Sequence, residues 1–149
     1  MQISSDQITV ENKLDSLLAL YAFIDQFAKR SGASDDLRRT ISLVVEELFT
    51  NTVSYGYPHG TADQIRLEIL LDTRHADVTL TDHGIAFDAG IAREVEFGTA
   101  SAEQREIGGL GLFLVHQLAD SVTNTRQTGT NVTHVRLPVP SRDTGAEAP

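Results

Sequence analysis

The spacing at which apolar residues recur changes once, sharply, along this chain, and that change limits the fold more than any other feature. Leu14, Leu17, Leu18, Tyr21, Ile24 and Phe27 follow i, i+3, i+4, i+7, the stripe of an amphipathic helix that Ser31-Gly32 ends. A cap at Ser34 or Asp35 opens a second helix carrying Leu37, Ile41, Val44, Val45, Leu48 and Phe49, which stops near Gly56-Tyr57-Pro58. From Ile65 to Leu71 and from Ala76 to Thr81 the apolar residues alternate instead. That is the period of an antiparallel pair with one buried face, and Asp72-Thr73-Arg74-His75 is its turn. A striped helix and a one-sided sheet have to cover each other.

The remaining elements fit that scheme. Ile8 to Val10 forms an edge strand before the first helix. Gly84 to Gly108 has little periodicity and is a long loop or lid, a kind of segment usually tied to function. A third helix spans about Leu110 to Ala119, followed by a strand from Ser121 to Arg126, the turn Thr128-Gly129 and a last strand from Val132 to Leu137. The order predicts an α+β two-layer sandwich, a mixed, mostly antiparallel sheet with helices on one face. Residues 1–137 form the domain, and residues 138–149, rich in Pro, Gly, Ala and charge, form a disordered tail.

Composition narrows the function. A chain of 149 residues fits one domain with a real core, and no apolar run approaches the roughly 18 residues of a membrane span. Met1 to Glu11 is polar and lacks the apolar region of a secretory signal, and the absence of Cys removes disulfides, thiolate zinc sites and thiol nucleophiles; the expected compartment is the cytoplasm. Twelve basic residues against 21 acidic ones give a charge of −9, which repels a phosphodiester backbone and sets nucleic acid aside as a partner. Only Lys13 and Lys29 are lysines, so the phosphate-binding G-x-x-x-x-G-K-[ST] loop cannot be written anywhere. The five histidines show no metal-binding spacing.

Three short segments carry chemistry. On the second helix Glu47 and Asn51 lie one turn apart along the edge of the apolar stripe, with Glu46 pointing to solvent. A carboxylate and an amide carbonyl so stacked can position a hydroxyl nucleophile and a Mg²⁺, although alone they are ordinarily a solvated polar edge. At Thr81-Asp82-His83-Gly84-Ile85-Ala86-Phe87-Asp88 a strand ends in an Asp with a Gly two residues on. A buried Asp there can accept from an exocyclic amine such as adenine N6, and Gly84 permits a close approach; the plain alternative is a turn. At Ile107-Gly108-Gly109-Leu110-Gly111-Leu112-Phe113 glycines open into a helix, whose free amides form an anion site or whose loop is simply a hinge.

The order and spacing of the three together resemble the GHKL ATP-binding superfamily of gyrase, heat-shock chaperone, histidine kinase and MutL type. Glu47 with Asn51 matches the N-box, Asp82-x-Gly84-x-x-Phe87 the first glycine box and Gly109-Leu110-Gly111 the second. Within it the chain most resembles the RsbW and SpoIIAB type of anti-sigma-factor serine kinases. The stretch Val45 to Tyr57, Phe87-Asp88, and Arg105 to Val115 are similar to theirs, and Tyr55 departs where those kinases commonly carry His.

The resemblance implies ATP with Mg²⁺ as ligands. It assigns Asn51 to the metal, Asp82 to the adenine amine, Gly84 to the room beside the base, and Phe87 and Leu112 to the same pocket. Gly108, Gly109 and Gly111 go to the phosphates and Thr133 to adenine support, with a surface strand hydroxyl as the alternative. Glu47 becomes the general base for a serine hydroxyl, and Arg105 at the lid's end meets the γ-phosphate or is an exposed cation. The implied protein is a homodimeric anti-sigma factor and serine kinase acting on a STAS-type anti-anti-sigma protein. Two rivals stand beside it: a binding module for which ATP is only a conformational ligand, and a detached histidine-kinase catalytic domain. The latter needs a phosphoacceptor histidine, and Leu14 to Lys29 contains none.

Overall fold

The computed structural model describes residues 3–86 and 110–140. Strand β1 (Ser4–Glu11) leads through a 3-10 turn at Leu14–Ser16 into helix α1 (Leu17–Ser31). Gly32, at φ 76°, ends α1 and donates its amide to the Ala28 carbonyl, the left-handed stop that glycine adopts without steric cost. Helix α2 (Asp35–Tyr55) starts at Ser34, whose hydroxyl accepts from the Leu37 amide at 3.1 Å, and Asp35 and Asp36 complement the positive end of the helix dipole. Strands β2 (Gln64–Leu71) and β3 (His75–Asp82) follow, then helix α3 (Leu110–Leu118) and strands β4 (Ser121–Gln127) and β5 (Thr130–Pro138).

The five strands form one sheet in the order β1-β2-β3-β5-β4. The sheet is mostly antiparallel as expected, and among the described residues all four pairings are antiparallel. β1 does lie at an edge, and it is longer than the three residues its sequence pattern marks.

Alternation decides which face is dry. Ile65, Leu67, Ile69, Leu71, Ala76, Val78, Leu80, Val135 and Leu137 bury one face, meeting Leu20, Ile24 and Phe27 of α1, Ile41, Val45, Leu48 and Phe49 of α2, and Leu112 and Val115 of α3. The opposite face presents Ser5, Gln7, Glu68, Thr79, His134 and Arg136 and carries none of the three helices. There Arg136 Nε and His134 Nε2 sit 2.9 Å from Asp77 Oδ1. Burial works against the charge on Asp77, but these cationic and imidazole partners outweigh it and hold the carboxyl below its usual range.

The last strand passes the expected end of the domain: Pro138 still pairs with His75, and the Val139 amide donates to the Arg74 carbonyl. Pro138 and Val139 therefore belong with the sheet, because they complete the β3 ladder. Among the described residues no helix is long and apolar enough to cross a membrane.

Candidate functional site

Helix α2 runs alongside two clusters, one near its middle and one at its C-terminus. At the first, Glu47 meets the opening turn of α3. A Cβ at Gly111 would overlap the Glu47 carboxylate, so the glycine is what lets that side chain lie across the helix start. Gly111 is the second described residue of α3, and amides in the first turn of a helix lack partners within it. Burial is the main cause that pushes the Glu47 carboxyl above its usual range, and the neighbouring charge of Glu46 adds to it.

Glu46 does not face open solvent. It is half-buried and accepts the hydroxyl of Tyr21 on α1, because α1 packs along that flank of α2; the stripe of α2 taken alone ignores this neighbour. The hydrogen bond to Glu46, with burial second, pushes the Tyr21 phenol up to about 12, so it keeps its proton and donates.

One turn beyond Glu47, Asn51 is 6% exposed, and among the described residues no hydrogen bond engages its side-chain amide. That amide is therefore not spent on the described residues and is left to serve a ligand. Its carbonyl suits a hard cation that takes few protein oxygens. No cluster of three or more acidic or histidine ligands occurs among the described residues, so a cation here would rest mainly on Asn51 and on a ligand's own oxygens.

At the C-terminal end of α2 the backbone of Gly56 seats against Gly84. A Cβ at Gly84 would stand 2.5 Å from the Gly56 carbonyl oxygen, which accepts the Ile85 amide at 2.8 Å. The close approach Gly84 allows is thus, among the described residues, to Gly56. Beside it Asp82, 4% exposed at the end of β3, accepts on Oδ1 from the Gly84 amide at 2.8 Å and from Asn131 Nδ2 at 2.9 Å. No hydrogen bond among the described residues reaches Asp82 Oδ2, which leaves one acceptor for a ligand amine.

Thr133, 8% exposed, lies two residues from Asn131 on the same face of β5 and accepts Asn124 Nδ2 at 2.7 Å, so its own proton remains to be given. On the outer side Asp63 receives the Tyr57 hydroxyl at 2.5 Å and the His83 amide at 3.0 Å, tying the chain after α2 to the end of β3. Glu47 and Gly56 are nine residues apart, about 13 Å of helix axis, so α2 separates the clusters by the scale of a nucleoside triphosphate.

The structure brings together Glu47 with Gly111, and Asp82 with Gly84. Leu112 is different: its side chain is 1% exposed within the core, since an apolar residue on the inner face of α3 packs against the sheet, and only its backbone is left for a ligand. Phe87, Arg105, Gly108 and Gly109 lie outside the described residues. Sequence reasoning missed Asn131, Arg126 and Gly56. Asn131 was within reach, because strand period two puts it on the face of Thr133. Arg126 was not, since its position opposite Asn131 depends on the turn in which Thr128 and Gly129 both take positive φ, 51° and 77°.

The one-sided α+β layer, with an acid and an amide on one helix, a carboxylate closing a strand and a glycine at the start of α3 against that acid, is the frame in which the family match falls. The sequence matches the histidine kinase-like ATPase domain over residues 10–137, and the chain belongs to that family. Membership makes ATP the expected nucleotide.

Among its relatives, the serine-protein kinase RsbW of Listeria monocytogenes serotype 4a is 32% identical over 109 residues, covering 70% of this chain and 69% of that protein. The anti-sigma F factor of Oceanobacillus iheyensis is 28% identical over 125 residues, 82% of each chain. The structure of the RsbU and RsbW domains of Rv1364c from Mycobacterium tuberculosis aligns with a TM-score of 0.60 at 13% identity, over 93% of this chain and 34% of that one, a likeness of fold.

Proposed function

We propose that this chain is an ATP-dependent serine-protein kinase that holds a sigma factor inactive and phosphorylates the serine of a STAS-type anti-anti-sigma protein. The observation that carries the reading is Glu47: a half-buried carboxylate with a raised pKa, laid across the glycine start of α3 one turn from Asn51. A general base gains when its pKa is drawn toward neutrality, and phosphoryl transfer asks for little else beyond positioning and charge neutralisation. The relatives named serine-protein kinase RsbW and anti-sigma F factor support the same reading.

In this scheme Asp82 accepts the adenine amine on Oδ2, with Thr133 behind the base. Asn51 holds Mg²⁺, which when bound neutralises phosphate charge. The Gly111 amide, with those of Gly108 and Gly109, meets phosphate oxygens, and Phe87 and Arg105 complete the pocket and the γ-phosphate contact. Glu47 takes the proton of the attacking serine. The protein acts as a cytoplasmic homodimer, its acidic exterior left to protein partners of basic surface.

The test mixes the purified protein with Mg-ATP and a STAS protein encoded nearby and looks for phosphoserine. Glu47→Ala lowers transfer about 10²- to 10⁴-fold, the range of a lost general base, and leaves nucleotide binding intact. Asn51→Ala and Asp82→Ala weaken the binding itself. Bound ATP with no transfer to any such protein overturns the kinase reading in favour of a binding module, and inactivation by Glu46→Ala rather than Glu47→Ala moves the base by one residue.

A further inference from the structure

The base end of the site contains two residues that the assignment above leaves idle. Asn131, 1% exposed, donates Nδ2 to Asp82 Oδ1 at 2.9 Å, to the Gly84 carbonyl at 3.1 Å and to the Ile85 carbonyl at 3.0 Å. Its Oδ1 accepts Arg126 Nη1 at 2.7 Å, and the same guanidinium nitrogen donates to the Gly84 carbonyl at 2.9 Å. A guanidinium can only donate, so Arg126 fixes which way the Asn131 amide points: oxygen outward to the arginine, NH₂ inward to Asp82. The reversed amide would set its oxygen against the carboxylate.

The consequence falls on Asp82. Two donors, the Gly84 amide and Asn131 Nδ2, converge on Oδ1, so the carboxylate is held in one orientation. The remaining accepting capacity lies on Oδ2. Such a group pairs with an exocyclic amine and repels an oxo group at the same place on a purine. Neither Asn131 nor Arg126 has to touch the nucleotide for this.

We propose that Asn131 and Arg126 are positioning residues that hold Asp82 as an acceptor-only reader, and that they thereby set the preference of the site for a 6-amino purine over a 6-oxo purine. The proposal rests on the reading that Asp82 receives the base.

Binding of ATP and of ITP, which differs by an oxo group in place of the amine, is measured by calorimetry on the full chain and on three variants. The unaltered protein binds ATP the more tightly. Asn131→Ala lowers the ATP-to-ITP affinity ratio about tenfold or more, the scale of a hydrogen bond to a charged group, mainly by weakening ATP. Arg126→Ala, a change at an exposed residue that spares the core, lowers it by a smaller factor in the same sense, and Arg126→Lys retains most of the ratio.

ATP and ITP affinities that fall together by one factor in both alanine variants mark a merely structural role and overturn the proposal, as does an unchanged ratio in both. Should Asn131→Ala fail to fold, Arg126→Ala decides by the same two criteria. Equal affinities of the unaltered protein for ATP and ITP overturn the assignment of Asp82 itself, an outcome separate from the other two.

Discussion

In the proposed scheme the two clusters beside α2 solve opposite problems. At the base end, polar groups are spent on one another: Asp82, Gly84, Asn131 and Arg126 are locked by short hydrogen bonds, and one carboxylate oxygen is left over. At the other end Glu47 is half-buried, and among the described residues no hydrogen bond engages its carboxylate. Recognition of a rigid base rewards groups that are fixed before it arrives. Proton transfer rewards a group whose basicity has not been lowered by donors, and burial without partners does that. Donors placed on the Glu47 carboxylate would lower its basicity and weaken it as a base.

The two glycines give the sharpest way to break this contrast. Gly111→Ala pushes a methyl onto the tip of the Glu47 side chain, which is flexible and can swing aside. The expected result is a loss of phosphoryl transfer on the order of the 10²-fold that attends a misplaced catalytic group, with little change in melting temperature; thermal denaturation beside a transfer assay checks it. Gly84→Ala instead drives a methyl to 2.5 Å from the Gly56 carbonyl, where backbone must move. Here the expected loss is stability, about 1–3 kcal/mol for an overpacked site, measured by urea denaturation. Should Gly111→Ala unfold the protein while Gly84→Ala only slows it, the contrast between a flexible and a rigid neighbour is wrong.

The raised carboxyl of Glu47 predicts two pH effects. As a base it works only when ionised, so the acid limb of the transfer profile falls above the usual glutamate value of about 4.3. For stability the sign reverses. A folded-state pKa above the unfolded one contributes stability that is complete below the unfolded value and lost as pH rises through the folded value. Glu47→Gln therefore raises the melting temperature slightly at neutral pH, and the gain disappears in acid. A variant less stable than the parent at neutral pH counts against the unpartnered carboxylate. This is the smallest of the expected effects.

Local rules made most of the fold legible. The helical stripe, the Ser34 cap, the Gly32 stop and the alternation of β2 and β3 each follow from neighbours within a few residues, and one-sided patterns then dictate the layers. The candidate site was legible where one element carries it: Glu47 with Asn51 a turn apart, or Asp82 with Gly84 two residues apart. What escaped depends on two elements meeting. Glu46 looked solvent-facing because only α1 supplies Tyr21. Leu112 follows the glycines in sequence, but its side chain packs in the core, a contact only the sheet supplies. Arg126 reaches Asn131 and the Gly84 carbonyl only once the β4–β5 register brings it there.

The face of the sheet opposite the described helices has a practical consequence. Strand alternation keeps its side chains on the far side of the backbone from Asp82 and Asn51, and the chain contains no cysteine. A single cysteine introduced at the exposed Gln7, opposite Glu68 on the neighbouring strand, would be the sole thiol in the molecule. A dye or surface tether attached there could report rotational freedom or immobilise the protein while the nucleotide cleft remains chemically untouched.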